Sequence, residues 1–258
     1  MNLLSPLLVI YRLSRLLLLF LLGIGMLGVL MITHGRQWHI TPRGMYLNQW
    51  WMGQLCRFVG VRITQYGHTH QQSAMYVANH VSFMDIPVLA TTTPVRFLSK
   101  QSVRYWPVIG FLTASFGTVY IDRSKRSAVQ PTLEKLVHVL HTPQPLAIFP
   151  ESTTSYGESV LKFHSGLFQA AINAGTPVQP VAIRYLVDGK LDKTAAYVGS
   201  DNLLVTLIKL LGRRETHVHL AYCPLLDTNK HTRRQLADMS RESIQQMLDQ
   251  SIPASAPD

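Results

Sequence analysis

The sequence predicts an α/β fold in which a mixed central sheet is flanked by helices and preceded by an N-terminal membrane-associated helical segment. Short apolar runs of strand length alternate with segments of helical periodicity, which is the pattern expected of such a sheet. Polar residues suited to chemistry directly follow several of these runs. A long charge-free stretch lies near the N-terminus, and the 258 residues suffice for one domain with a sizeable core.

Strand-like and helical segments follow one another along the chain. Strand-like runs are expected at 74–78, 95–98, 118–121, 146–149, 178–184 and 217–222. Helical segments are expected around 86–93, 133–140, 202–214 and 244–248. We therefore expect three parts, which are a membrane-associated helical region over 1–60, a globular domain over 61–251 and a flexible tail over 252–258.

The N-terminal region contains an apolar stretch, 16–33, that carries no charge and is bounded by Arg12, Arg15 and Arg36. Its length of about 18 residues is the lower limit for crossing a bilayer. A cleaved signal peptide is the competing interpretation, but the run is long for one and no clear cleavage site follows, so we favour retention. The sequence leaves open whether the segment spans the bilayer or lies in one leaflet.

The charge of the chain indicates an anionic partner. A net charge of +10 and a pI near 9.8 suit either nucleic acid or a phospholipid surface, and the apolar N-terminus favours lipid. The aromatic rings and arginines of 38–59 suit the headgroup interface, although a helix packed on the domain would use the same residues. Cys56 and Cys223 lack metal or redox spacing, so we expect reduced structural thiols and a cytoplasm-facing domain.

His80 and Asp85 form the clearest chemical pattern, because they lie five residues apart where a strand-like run meets a helical one. The Asp85 carboxylate can accept the Nδ1 proton of His80 and leave Nε2 facing outward as a general base. An imidazole has a reference pKa of about 6.5, which suits proton transfer near neutral pH. The alternative is a capping histidine beside a carboxylate that interacts with the helix dipole.

Three further blocks accompany this pair. Asp122 and Arg123 end a strand-like run and are followed by two more cations, which suits an anionic group or a solvated charge cluster. Glu151 follows another run together with four nearby hydroxyl side chains, on a loop able to bind oxyanions. The proline-punctuated run 175–183 has little polar chemistry and would alone indicate plain core.

In this order and at these distances, the four blocks resemble the glycerolipid acyltransferases of the bacterial 1-acyl-sn-glycerol-3-phosphate acyltransferase type. The first motif, N-H-x-x-x-x-D, is matched by Asn79, His80 and Asp85. The second, G-x-x-x-I-D-R, is matched by Gly117, Ile121, Asp122 and Arg123. The third, F-P-E-G-T-R-S, is matched by Phe149, Pro150, Glu151, Thr153 and Ser155. The fourth is matched by the run 177–180, so the resemblance covers about 74–185.

The resemblance implies an acyltransferase domain over 61–251 with His80 and Asp85 as catalytic residues. It implies substrate binding by Asn79, Lys100, Asp122, Arg123, Glu151, Thr153 and Thr154, with Lys100 as a phosphate contact. No metal or other cofactor is implied, and acyl-CoA or acyl-ACP serves as co-substrate. The implied partners are membrane lipids and a lysolipid acceptor rather than nucleic acid, with the domain on the cytoplasmic face of a bacterial inner membrane.

Two departures from the third motif concern the acceptor. Ser152 stands where the family has glycine, and Thr154 where it has the arginine that would grip a phosphate bidentately. The acceptor expected first is 1-acyl-sn-glycerol-3-phosphate, giving phosphatidic acid. The alternative is a lyso-ornithine lipid, because the run from Glu151 to Gly157 is similar to the E-G-T-T-S-x-G motif of lyso-ornithine lipid acyltransferases.

Two other classes of protein remain as alternatives. A serine hydrolase would use the same residue types, but the chain contains no G-x-S-x-G elbow. A non-catalytic membrane-bound scaffold would explain the apolar segment and the positive charge, yet it leaves the spacing of His80 and Asp85 without a purpose.

Overall fold

The computed structural model describes residues 4–70, 73–107, 109–122, 129–199 and 201–250. The helices are α1 (Leu4–His34), α2 (Pro42–Val59), α3 (Asp85–Thr92), α4 (Ile109–Ser115), α5 (Val129–Leu140), α6 (Phe168–Ala174), α7 (Leu203–Leu211) and α8 (Arg233–Asp249). The strands are β1 (Val61–Tyr66), β2 (Met75–Ala78), β3 (Arg96–Lys100), β4 (Val119–Ile121), β5 (Leu146–Ile148), β6 (Val178–Val187), β7 (Lys190–Leu191) and β8 (Thr216–Tyr222).

The strands form one mixed sheet, which confirms the expected α/β fold. Their order is β1-β8-β6-β2-β5-β3-β4, and β7 pairs with the end of β6. Strands β6, β2, β5, β3 and β4 are parallel, whereas β8 runs antiparallel to β6. Because parallel strands point the same way, their carboxyl ends meet at one side of the sheet, which we call the carboxyl edge. Ligands of open α/β sheets bind outside this edge.

Helices cover both faces of the sheet. Side chains alternate between the faces, so that in β2 Tyr76 and Val77 belong to different core clusters. The face that includes Tyr76 packs on α2, α3 and α7, with Val88 and Leu210 buried there. The opposite face packs on α5, α6 and α8, where Phe168 is buried. The buried clusters hold the strand ends, and therefore the carboxyl edge, in place.

Helix α1 contains the charge-free stretch and packs along the domain. Leu16 joins the core of the first face, and Leu27 packs with Trp51 of α2 farther along. The Arg12 guanidinium donates hydrogen bonds of 2.6–3.1 Å to four carbonyl oxygens at or just beyond the ends of α2 and α7, those of Val59, Leu211, Arg213 and Arg214. The other side of α1 exposes apolar side chains such as Leu17 and Leu22.

The six expected strand-like runs coincide with β2, β3, β4, β5, β6 and β8. The sequence did not predict β1, because it lies at the end of the sheet, and of its six residues only Val61 is buried. Helix α2 ends at Val59 and β1 begins at Val61, on either side of the expected boundary after residue 60. The expected tail over 252–258 lies outside the described residues.

Candidate active site

His80 lies at the carboxyl edge, two residues after the end of β2, and Asp85 is the first residue of α3. The Nδ1 atom of His80 lies 2.7 Å from Oδ2 of Asp85. Because a carboxylate accepts this hydrogen bond, Nδ1 carries the proton and Nε2 keeps its lone pair. The imidazole is one-fifth exposed, and within the described part of the chain Nε2 has no hydrogen-bond partner. The pair can therefore act as an oriented general base.

Asp85 is fully buried and saturated with donors. Its Oδ2 also accepts hydrogen bonds from the backbone N–H groups of Val81 and Ser82, at 2.7 and 3.0 Å. Its Oδ1 accepts the hydroxyl of Tyr185, on β6, at 2.7 Å. Burial raises the pKa of Tyr185 well above its usual value, so the phenol remains a donor. A carboxylate held from both sides in this way cannot rotate away from the imidazole.

Asn79 continues the ladder between β2 and β6 where β2 leaves the sheet. Its amide donates to the carbonyl of Ile183 at 2.9 Å and accepts the Ile183 N–H at 2.8 Å. Both polar atoms of the amide thus pair with one peptide segment of β6, and the side chain is buried. The arrangement anchors the residue that precedes His80. The predicted contact of Asn79 with substrate stays a prediction.

Glu151 lies beside His80 because of the register in which β5 pairs with β2. Val77 of β2 is paired with Ile148 of β5, so His80 and Glu151 lie opposite one another three residues farther on. The Oε1 atom of Glu151 accepts the backbone N–H of His80 at 3.3 Å. The other oxygen, Oε2, is buried and has no hydrogen-bond partner among the described residues. Burial, together with the charge of Asp85, raises the pKa of Glu151 to about 7.

Phe149 supports the His80 ring and was not recognised as a site residue from the sequence. Its ring stacks on the His80 imidazole with centroids 4.1 Å apart and planes 16° from parallel. Phe97 continues the stack on Phe149 at 6.3 Å. The apolar stack holds the plane of the imidazole on one side. The hydrogen bond to the Asp85 carboxylate fixes the rotation of the imidazole within that plane.

The predicted anion-binding residues follow neighbouring strands of the same edge. Lys100 ends β3, is exposed, and lies two strands from β2, which corresponds to a lateral separation of about 10 Å. Asp122 follows β4, one strand farther away. Arg123 and the two cations after it lie outside the described residues. Lys100 and Asp122 are thus on the side of the sheet that carries His80.

The hydroxyl-rich loop after Glu151 folds back over the first motif. The Ser155 N–H donates to the carbonyl of His80 at 2.8 Å. Thr153 is exposed, whereas the hydroxyl of Thr154 donates to the carbonyl of Tyr197. Ser152 has a φ of 62°, a left-handed conformation that explains why the family motif has glycine at this position.

Among the described residues, the cysteines and the potential metal ligands form no further centre. Cys56 and Cys223 are buried free thiols, and burial raises the pKa of Cys56 to about 12. Residues with metal-ligating side chains form no group of three or more in the described ranges. The sequence expectation that no cofactor is needed stays a prediction.

Comparison with known proteins identifies the family. A family model described as "Acyltransferase" matches residues 60–184. The lyso-ornithine lipid O-acyltransferase of Pseudomonas aeruginosa is 37% identical over 209 residues, covering 81% of each chain. The 1-acyl-sn-glycerol-3-phosphate acyltransferase of Neisseria meningitidis is 30% identical over 192 residues, covering 74% of this chain and 75% of that one.

A solved structure supports the same fold. The crystal structure of the 1-acyl-sn-glycerophosphate (LPA) acyltransferase PlsC from Thermotoga maritima has a TM-score of 0.70. It is 18% identical and the match covers 95% of both chains. The relatives at 30% and 37% identity match across three quarters or more of their length. This chain therefore belongs to the acyltransferase family and is a lysolipid acyltransferase.

Proposed function

We propose that this protein transfers a fatty acyl group from acyl-CoA or acyl-ACP to the free hydroxyl of a lysolipid, with His80 as general base. The observation that carries the proposal is the 2.7 Å contact between His80 Nδ1 and Asp85, which leaves Nε2 open toward the carboxyl edge. No protein nucleophile is required, because the acceptor hydroxyl itself attacks the donor.

The reaction follows from the position of the proton. Nε2 of His80 removes the proton of the acceptor hydroxyl while that oxygen attacks the thioester carbonyl carbon. The resulting oxyanion collapses, the C–S bond breaks, and the leaving thiolate takes the proton from the imidazolium. Asp85 stabilises the imidazolium, and the donors of Tyr185, Val81 and Ser82 hold Asp85 in place.

A lyso-ornithine lipid is the acceptor we place first, which reverses the order expected from sequence. Thr154 replaces the cation of the third motif, and its hydroxyl is used by the Tyr197 carbonyl rather than by a ligand. The Pseudomonas aeruginosa relative, with 37% identity, carries that activity in its name. A zwitterionic headgroup needs fewer cations than a phosphate does, and Lys100 can pair with its carboxylate.

Lysophosphatidic acid is the second candidate, with phosphatidic acid as product. Lys100 is exposed at the carboxyl edge, where it could contact a phosphate. The Neisseria meningitidis relative is named for this reaction. Without an arginine at 154, however, the bidentate grip on the phosphate is missing.

One experiment distinguishes the acceptors. Purified wild type, Thr154→Arg and Thr154→Val are assayed with a labelled acyl donor and each lysolipid. Thr154→Val removes the hydroxyl contact without adding charge, so it is the matched control. For a lyso-ornithine lipid acceptor, Thr154→Arg lowers kcat/KM below the Thr154→Val value because the arginine meets the cationic amine. For lysophosphatidic acid, it raises kcat/KM above that value through a contact of about 1.5 to 3 kcal/mol. Transfer to neither lysolipid by wild type would contradict the proposal.

Helix α1 supports attachment to a bilayer. It contains the one helix segment in the described residues that is long and apolar enough to span a membrane, Pro6–His34. Packing of Leu16 and Leu27 on the domain favours a helix lying in one leaflet. We place the protein on the cytoplasmic face of a bacterial inner membrane, where acyl donors are available.

Detergent, but not high salt, should release the protein from membranes, because salt screens charge and leaves apolar burial intact. Quantitative release by salt alone would contradict insertion.

A further inference from the structure

Helix α7 exposes apolar residues on the side that faces away from the domain, which is unusual for a helix of a water-soluble domain. Leu204, Val205 and Ile208 are exposed by 60%, 48% and 42% respectively. At 100° per residue they occupy an arc of about 100°, as wide as an ordinary core-facing stripe. Thr206 and Leu210 face the domain and are buried. The outer face of α7 is therefore as apolar as a helix face that is normally buried.

Helix α7 packs against α1, whose other side also exposes apolar side chains. Leu210 and Leu211 of α7 belong to the same core cluster as Leu16 of α1. The Arg12 guanidinium of α1 also donates to the carbonyl oxygen of Leu211 at 3.0 Å. The two helices are thus held together where Arg12 meets the end of α7, and each exposes apolar side chains.

Charge identifies the occupant of this surface. The first 84 residues contain six arginines and no acidic residue, and the segment 201–215 carries three cations against two acids, Asp201 and Glu215, of which Glu215 pairs with Arg62. Lys209 is exposed and lies about 40° beyond Val205 around α7, where it can reach a headgroup from the rim of the apolar arc. Such a surface would repel a second copy of itself and attract anionic lipid.

We infer that α7 is a second bilayer-contacting helix, whose face formed by Leu204, Val205 and Ile208 lies in the same leaflet as α1. Two helices held at a fixed angle define a plane, whereas one helix alone would let the domain rotate about its axis. The contact therefore sets the orientation of the carboxyl edge toward the lipid surface.

The position of α7 also bears on the active site, and this step rests on the proposed function. The residue that caps α7 is Asn202, five residues after Tyr197. The Tyr197 N–H donates to the carbonyl of Val81 at 3.0 Å, and the Tyr197 carbonyl accepts the hydroxyl of Thr154. The segment entering α7 thus bridges the first and third motifs. Lipid contact at α7 would hold this bridge at the bilayer surface.

A depth measurement tests the inference without any assay of activity. Full-length Ile208→Cys and Leu225→Cys are labelled with an environment-sensitive fluorophore in vesicles of phosphatidylethanolamine and phosphatidylglycerol. Leu225 is a matched control, because it is 41% exposed and lies beside the amino end of β6, away from the carboxyl edge. Cys56 and Cys223 are buried, and the unmodified protein corrects for their labelling.

Lipids with a nitroxide on the acyl chain should quench the label at 208 and leave the label at 225 unaffected. Equal quenching at the two positions would overturn the inference. A label at 208 that is shielded from aqueous iodide but not quenched by these lipids would assign the surface to a second protein copy instead, and would also overturn it.

Activity gives a second readout. Ile208→Glu should lower turnover of lysolipid in vesicles about tenfold and leave turnover in detergent micelles unchanged. Leu225→Glu should change neither. Equal turnover by Ile208→Glu and wild type in vesicles would count against the inference. If wild type transfers no acyl group in either medium, the proposed function fails, while the quenching measurement still decides the role of α7.

Discussion

The buried carboxyl of Glu151 should give the fold a pH dependence that one isosteric substitution removes. Its pKa is about 7 in the folded protein, against a reference value of 4.5. Between these values the unfolded chain releases the proton while the folded chain keeps it. Folding stability therefore falls as the pH rises from about 4.5 to about 7. The difference corresponds to about 3 kcal/mol at 1.36 kcal/mol per pKa unit.

Glu151→Gln tests this magnitude, because the amide keeps the acceptor for the His80 N–H and cannot ionise. Denaturant unfolding in detergent should give stabilities within about 1 kcal/mol of wild type at pH 5. At pH 8, Glu151→Gln should be more stable by about 2 to 3 kcal/mol. Glu158→Gln is the matched control, since Glu158 is more than half exposed and pairs with Lys193. A Glu151→Gln effect that is the same at both pH values would refute the reasoning.

Two further substitutions probe contacts that the sequence did not reveal. Tyr185→Phe removes one hydrogen bond to the Asp85 carboxylate and should lower kcat about tenfold with little change in KM. The control Tyr222→Phe loses only a contact with Thr92 and should keep the wild-type kcat. Equal kcat in the two variants would exclude a positioning role for Tyr185. Arg12→Ala leaves four carbonyl oxygens without their donor and should lower the free energy of unfolding by about 3 kcal/mol, measured in detergent. The control Arg15→Ala removes a stacking contact with Phe58 and should lower the free energy of unfolding by less than about 1 kcal/mol. An equal loss in both variants would contradict the role of Arg12 in holding α1 on the domain.

The contact between His80 and Asp85 was predictable because it is local. A histidine and an aspartate five residues apart at a strand-to-helix turn converge without help from the rest of the chain, and the structure brings their atoms within 2.7 Å. The strand-like runs were predictable for a similar reason, since each is a short apolar stretch of a buried strand. Asp85 is also the first residue of α3, but the two backbone N–H groups that it accepts belong to Val81 and Ser82, which precede the helix.

The supporting residues required the tertiary structure. Glu151 meets His80 only because β5 pairs with β2 in one particular register. Tyr185 meets Asp85 across 100 residues, and its one sequence signal is a hydroxyl in a mostly apolar strand that also contains Gln179 and Arg184. The sequence indicated Arg12 only as a flank of the apolar segment, yet three of its four partners lie about 200 residues away. Pairwise contacts of this kind leave no periodicity in the sequence.

The central claim is that His80, oriented by Asp85, removes the proton of a lysolipid hydroxyl. The most direct measurement is lysolipid-dependent release of free thiol from an acyl thioester by purified wild type and His80→Ala, with unfolding midpoints recorded for both. We expect His80→Ala to unfold at the wild-type midpoint and to turn over about a hundredfold to ten-thousandfold more slowly. Turnover by His80→Ala at the wild-type rate would contradict the account.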